Sequence, residues 1–362
     1  MTIKPRPKIL WLTNLPAPYR FPIWARIARD LDLKVAFLSK KKNWRNWPVP
    51  ENVSWDYHYF SFNSLRLKEF DFIPSIRGSK RILKGADVVI VGGWESPIYW
   101  RIHQLARKKN IPIIQFYEST QASHRFNNIL VRKIRSTVMS NANFIVTIGT
   151  ESAKAVEAMG ITNEKIITLF NPVDVSWFHS YAQSHRFQQS TGHRFIYVGQ
   201  LIERKNVANV IRAFANIRTE LDTLTIAGAG PLEQSLSELV KDIGLSDSVF
   251  FVGHQNQEAL AELYARSNTL ILASTNEVWG LVVNEALASG LHVIVSDMCG
   301  VSEFIKDMEG AYICKTDVES IALKINESRK NYTGPVKDPE ILNYTPERFA
   351  EELISRLSVN RR

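Results

Sequence analysis

The chain of 362 residues holds only two cysteines, Cys299 and Cys314, too few for a disulfide framework and in no metal-ligand spacing. No apolar run approaches the ~20 residues that a membrane-spanning helix requires. The opening stretch MTIKPRPKILWLTN has no signal-peptide core ahead of what reads as a buried strand. Internal repeats and low-complexity tracts are missing, as are zinc-finger spacings and RNA-binding signatures. These absences make a cytoplasmic protein with no metal and no bound cofactor the expectation, and they argue against nucleic acid as a partner. What is present is a globular composition, 45% hydrophobic and 22% charged, at a length that suits two domains.

Charge is unevenly divided. Residues 1–170 carry 27 Lys and Arg against 12 Asp and Glu, a net +15, whereas the remainder carries 18 against 24, a net −6. A basic half points to an anionic partner, either a phosphate-bearing acceptor or an anionic lipid surface at the inner face of the membrane; a merely soluble basic surface is the alternative. Within that half, FNNILVRKIRSTVM (Phe126 to Met139) places Ile129, Leu130, Ile134 and Val138 along one helical face, with Arg132, Lys133 and Arg135 around the remainder. Such a segment reads as a core-facing helix with solvated charges or as a basic helix lying on a membrane.

Apolar, β-rich runs recur throughout: KILWLTN, LKVAFLS, ADVVIVGG, PIIQFY, NFIVTIG and KIITLF, then RFIYVG, TLTIAG, VFFVG, NTLILAS and HVIVSD. Helical patterns such as NVANVIRAFANI and QEALAELYARS lie between them. Near-continuous apolar strands alternating with helices imply parallel sheets covered on both faces. The fold class expected is α/β, with two Rossmann-like doubly wound domains. The polar interval Ser180 to His193 reads as the linker, giving domains over 1–179 and 194–340 and a C-terminal helical segment, 341–362, that returns to the first domain.

Ligands of open α/β sheets bind at the carboxyl ends of the strands, which directs attention to NEVWGLVVNEALASG, Asn276 to Gly290. Leu281 to Ser289 has helix-forming composition, and Gly290 suits the left-handed position after a helix. Glu277 then lies in the loop before the helix and Glu285 inside it. The helix start, with unpaired amides and a positive dipole end, is a natural diphosphate site. Acids beside it suit sugar hydroxyls; alternatively Glu285 complements the dipole and Glu277 is a solvated loop acid.

YVGQLIERKN, followed some eighty residues later by NEVWGLVVNEALASG, resembles the retaining, nucleotide-sugar-dependent glycosyltransferases of family 4, whose two Rossmann-like domains face across a cleft in the GT-B arrangement. The resemblance is strongest over residues 193–300, with weaker echoes in NPVDVSWF and GAGP. It implies that Lys205 neutralises the donor diphosphate, aided by the amides of Gly280, Leu281 and Val282, with Gly199 at the preceding strand end. It also implies that Glu285 holds the ribose, Glu277 the transferred sugar, and backbone around Val252 to His254 the base. The implied activity is sugar transfer to a hydroxyl acceptor, a sugar, lipid-linked or small molecule, in glycan, glycolipid or cell-envelope polysaccharide synthesis. A nucleotide-sugar epimerase of the same fold, or an inactive nucleotide-sugar binder, is the rival.

Three departures from the family pattern stand out. Gln200 replaces the usual arginine, for which Arg204 is the substitute; Asn206 replaces a glycine; and the loop after PIIQF offers Tyr117, Glu118 and His124 where a histidine is usual, with Glu118 taken as the catalytic candidate. In the first half, Tyr19, Arg20 and Glu95 follow strand ends. Tyr19 either faces ligand or packs, Arg20 either faces ligand or pairs, and Glu95 either accepts from an acceptor hydroxyl or caps the next helix.

Overall fold

A computed structural model describes the chain except for residues 1–5, 40, 43–44, 47, 61–64, 68–69, 73–77, 122, 124–127, 187–191 and 360–362. It divides into two units, residues 1–170 with 346–362, and residues 171–345.

The first unit is built on seven strands: β1 (Lys8–Thr13), β2 (Asp32–Phe37), β3 (Asp56–Tyr59), β4 (Val88–Val91), β5 (Ile113–Tyr117), β6 (Phe144–Ile148) and β7 (Ile166–Leu169). They are ordered β7-β6-β5-β4-β1-β2-β3 and all parallel. The apolar runs explain the arrangement, because Val88–Val91 and Ile113–Tyr117 are buried at every position, as strands covered on both faces must be. Strand β3, DYHY, escapes the apolar pattern because it is the edge strand, with its first two residues exposed. Its covering helices include α1 (Phe21–Asp30), α2 (Pro97–Lys108), α3 (Ile129–Ser140) and α4 (Gly149–Glu157).

The second unit has six parallel strands: β8 (Arg194–Val198), β9 (Thr223–Ala227), β10 (Val249–Gly253), β11 (Thr269–Leu272), β12 (His292–Ser296) and β13 (Ala311–Cys314), ordered β10-β9-β8-β11-β12-β13. Its helices include α5 (Val175–His185), α6 (Val207–Ile217), α7 (Glu233–Asp242), α8 (Gln257–Arg266), α9 (Leu281–Ala288) and α10 (Val318–Asn331). The last helix, α11 (Pro346–Val359), belongs to the first unit. There it packs against α1, with Phe349 fully buried and 6.3 Å from the Phe116 ring.

Two expectations are corrected. The interval 180–193 does not begin as a linker: the chain enters the second unit at Asn171, and Ser180 to His185 completes α5. The reason is one-sided packing, since Val175, Phe178 and Ala182 are buried while Ser180, Gln183 and Ser184 form the exposed face. Polarity alone resembled a linker but was the outer side of a helix; residues 187–191 lie outside the described residues. At the other end, the short turn Glu340–Asn343 stays with the second unit, so the boundary falls at Pro346 instead of 341.

The second correction concerns α3. Val138 is buried and Ile134 half-buried as its periodicity requires, but Ile129 and Leu130 are 83% and 68% exposed. The helix is anchored by its later turns, where Arg135 is also buried, its guanidinium 4.7 Å from the centre of the Trp94 ring.

Candidate functional site

The second unit's strand ends are joined backbone to backbone. Gly199 donates its amide to Ala227 at 3.0 Å, Leu201 to Ala229 at 3.1 Å and Gly228 to Gly253 at 2.8 Å. This close approach explains GAGP, because a Cβ on Gly228 would stand 1.8 Å from the Gly199 carbonyl oxygen. The two glycines serve packing between loops.

After β8 the chain makes one 3-10 turn, Glu203–Lys205, and enters α6 through Asn206 in the left-handed region at φ 58°. Asparagine tolerates that conformation better than other side chains, and here it also bonds: Nδ2 donates to the carbonyls of Ala273 at 3.0 Å and Thr316 at 2.8 Å. The amide of Thr275 donates to the Arg204 carbonyl at 2.8 Å. These bonds fasten the turn carrying Arg204 and Lys205 to the loop carrying Glu277. That loop is held on its other side, where Gly300 donates to the Glu277 carbonyl at 2.9 Å.

The result is a three-residue cluster. Lys205, 8% exposed, pairs through Nζ with Oε2 of Glu277, and Arg204 reaches the same oxygen at 3.2 Å while also donating to the Asn276 carbonyl at 3.0 Å. Lys205 is enclosed, whereas the Arg204 side chain is 43% exposed. Two cations sharing one carboxylate leave an excess of positive charge.

Three residues after Glu277, Gly280 turns the chain into α9 at φ 104°, and no side chain caps that helix. A Cβ at Gly280 would also meet Leu272 Cδ2 at 2.8 Å. Leu281 and Val282 occupy the first turn, half-buried, and Glu285 follows one turn later. Burial pushes the Glu285 carboxyl up to about 7, against the opposing influence of the Tyr264 hydroxyl, which donates to Oε2 at 3.0 Å. Tyr264 has no signature in the sequence beyond its place in a helical pattern. Val252 and His254 lie at the end of β10 and just beyond it, both exposed. Gln200 contributes its carbonyl as acceptor for the Tyr197 hydroxyl at 2.9 Å.

In the first unit the strand ends carry acids. Glu118, directly after β5, pairs with Arg20, which is 8% exposed and stands 5.3 Å from the Phe116 ring centre and 5.5 Å from that of Tyr19. Tyr19 therefore packs beside the guanidinium. Glu95 accepts from Asn14 Nδ2 and from the Trp94 amide, each at 2.9 Å, and Asn14 in turn accepts from the Tyr99 hydroxyl at 2.6 Å. Glu95 thus braces the loop after β4 against the loop after β1 and makes no cap on α2. Tyr117 is buried inside the strand, with its hydroxyl pushed up to about 12 by burial. His124 lies outside the described residues. Among the described residues, no group of three or more His, Cys, Asp or Glu side chains is placed to hold a metal ion, and no helix is long and apolar enough to cross a membrane.

Known proteins resemble this chain at two levels. A solved lipopolysaccharide outer core galactosyltransferase, WaaB, covers 97% of it and 99% of its own chain at TM-score 0.77 and 15% identity. Anabaena HepE in complex with UDP covers 97% and 100% at TM-score 0.75 and 14% identity. These neighbours place the fold among the two-domain α/β folds of GT-B glycosyltransferases. In sequence, the N-acetyl-alpha-D-glucosaminyl L-malate synthase of Bacillus anthracis is 36% identical over 121 residues, 33% of this chain and 31% of that protein. The chain spans about a third to a half of the length of the curated relatives it matches. The part that holds the Arg204, Lys205 and Glu277 cluster and the Glu285 helix, residues 183–343, matches the family model of the group 1 glycosyl transferases.

Proposed function

We infer that the chain is a retaining glycosyltransferase of family 4 type, moving a sugar from a nucleoside diphosphate donor to a hydroxyl acceptor in glycan, glycolipid or cell-envelope polysaccharide synthesis. The observation that carries this reading is the excess positive charge of Lys205 and Arg204 on Glu277, set in the loop that opens α9. A diphosphate arriving there takes over both cations and the amides of Gly280, Leu281 and Val282, which stabilise the charge that grows as it leaves. Glu277, released from the cations, accepts hydroxyls of the transferred sugar. Glu285 receives the ribose, backbone from Val252 to His254 the base, and Gly199 lets the chain approach the donor closely. Glu118, held by Arg20, is assigned to the reacting sugar. The acceptor oxygen bonds to the anomeric carbon on the face from which the diphosphate departs with the bonding electron pair, and the acceptor's hydroxyl proton passes to the departing diphosphate oxygen.

Uridine is the first base to test, because a solved neighbour of the same fold is a complex with UDP-glucose. Melting the protein with UDP, GDP, ADP and their sugars tests donor binding, since a ligand held by the folded state alone raises Tm. Release of nucleoside diphosphate dependent on acceptor then separates transfer from epimerisation. No shift with any of these compounds overturns the reading, and binding without release under any acceptor marks an inactive binder.

On the acceptor side, the exposed Ile129 and Leu130 at the start of α3, beside exposed Arg132 and Lys133, favour contact with an anionic membrane surface. A groove of about 720 Å³ beside them is lined by Arg132, Lys133 and Arg135. Each basic residue near such a surface contributes about 1 kcal/mol. Sedimentation with anionic vesicles at low salt, lost at high salt and absent with neutral vesicles, is the expected result; equal, negligible binding to both removes the membrane.

A further inference from the structure

Tyr264 lies on α8, fully buried. Its ring meets Phe178 of α5 at 5.9 Å between centroids, inclined at 65°, and its hydroxyl donates to Oε2 of Glu285 on α9 at 3.0 Å. Three helices thus fix the donor and its acceptor. Burial and the nearby carboxylate raise the Tyr264 pKa well above its usual value, so the hydroxyl keeps its proton. Among the described residues no cation pairs with Glu285, although its carboxyl is desolvated. A phenylalanine would fill the same slot without burying a polar atom, so packing does not account for the hydroxyl.

We propose that Tyr264 is a positioning residue for the nucleotide ribose: its hydroxyl occupies Oε2 of Glu285, fixes the rotation of the carboxylate and leaves Oε1 to accept from a ribose hydroxyl. The proposal rests on the reading that Glu285 receives the ribose. A carboxylate held at one oxygen by a fixed donor has lost its rotational freedom before the ligand arrives, so binding orders less. The same hydrogen bond favours the charged form and so opposes the upward push of burial on the carboxyl. Tyr264 itself does not touch the ligand; it acts through Glu285.

Calorimetry on the full chain with UDP, GDP and ADP, each beside its 2′-deoxy and 3′-deoxy counterpart, tests this in wild type, Tyr264→Phe, Glu285→Gln and the double variant. Wild type is expected to prefer one ribonucleotide over a deoxy form by about tenfold, as for a hydrogen bond to a charged group. Tyr264→Phe is expected to cut that preference at least about threefold with the deoxy affinity unchanged, and to add nothing to Glu285→Gln. A ring-fluorinated tyrosine at position 264 keeps the packing, alters the donor's acidity and is expected to move the same ratio. If wild type binds none of the nucleotides, or shows no preference for either hydroxyl, the ribose reading falls and the proposal with it. If wild type has the preference and both position-264 variants retain it, the proposal alone falls. Equal weakening of ribo and deoxy forms in Tyr264→Phe assigns the tyrosine to packing and also overturns it.

Discussion

The two units weight their strand-end charges differently. In the acidic part of the chain, net −6 over residues 171–362, two cations, Arg204 and Lys205, meet one acid, Glu277. In the basic part, net +15 over residues 1–170, two acids, Glu95 and Glu118, are braced by Asn14 and by the cation Arg20. Net charge therefore says little about a site; what a strand end offers is set by the few residues its loop can hold in place. Both units stitch strand-end loops through backbone bonds, Gly199 to Ala227 in the second and Gly92 to Leu12 in the first. They differ in the side chains added: the second sets two cations on Glu277, whereas the first occupies its acids singly, Glu95 with Asn14 and Glu118 with Arg20.

The largest test of that contrast is Lys205→Ala. On the proposed reading the enclosed lysine is the principal charge for a leaving diphosphate, so turnover is expected to fall about 10²- to 10³-fold, as when a single charge-stabilising donor is removed from an active site. Transfer assays at saturating donor measure it, and a wild-type rate would separate the cluster from catalysis.

A test of comparable size uses acid. His193, buried at the opposite end of β8, is pushed down to about 4 chiefly by burial, with Asp222 opposing and His292, Arg329 and Arg194 adding to the shift. Its Nε2 bonds to Thr269 Oγ1 at 2.8 Å. An unfolded chain binds a proton there below its ordinary 6.5, whereas the folded unit resists until about 4. Stability is therefore full above 6.5 and declines as pH falls from 6.5 towards 4, by about 3 kcal/mol for a shift of this size at 1.36 kcal/mol per unit. Calorimetric melts from pH 7.5 to 4.5 are expected to show this loss, reduced in His193→Gln.

Arg204→Ala sharpens the comparison within the cluster. Being 43% exposed in its side chain and beside the same carboxylate, Arg204 is expected to cost about tenfold in turnover, less than the buried lysine, because exposed charges are screened. Unchanged rates would reject it as the replacement for the missing arginine at Gln200.

The smallest effect is expected from the first unit. Glu118→Gln keeps the shape but removes the charge facing Arg20; turnover is expected to fall a few-fold, by about 1 kcal/mol for one hydrogen bond to the reacting sugar, with nucleotide affinity unchanged. A change in nucleotide affinity instead would break the division of labour between the units.

Much of this was legible in the residues. The apolar runs located most strands, and Gly280 and Gly290 bracketed a helix that runs Leu281–Ala288. The strands Asp56–Tyr59 and Ala311–Cys314 were not legible, because the first is exposed at two of its four residues and the second only half-buried at three of its four. Ser180 to His185 misled because a polar helix face and a linker have the same composition over a few residues. Ile129 and Leu130 misled because periodicity shows which residues share a face but not how far along the helix its packing extends.

By itself, the sequence determined the alternation of strands and helices, because burial on two faces demands apolar runs, and it marked Glu277 and Glu285 by their places before and inside a helix. Tertiary structure alone decided that Lys205 and Arg204 meet on Glu277, 72 and 73 residues away, and that Tyr264 holds Glu285. It also decided that Arg20 pairs with Glu118 across 98 residues. Those pairings depend on the order of strands in a parallel sheet and on which helices pack together over its faces, and no local pattern of residues encodes either.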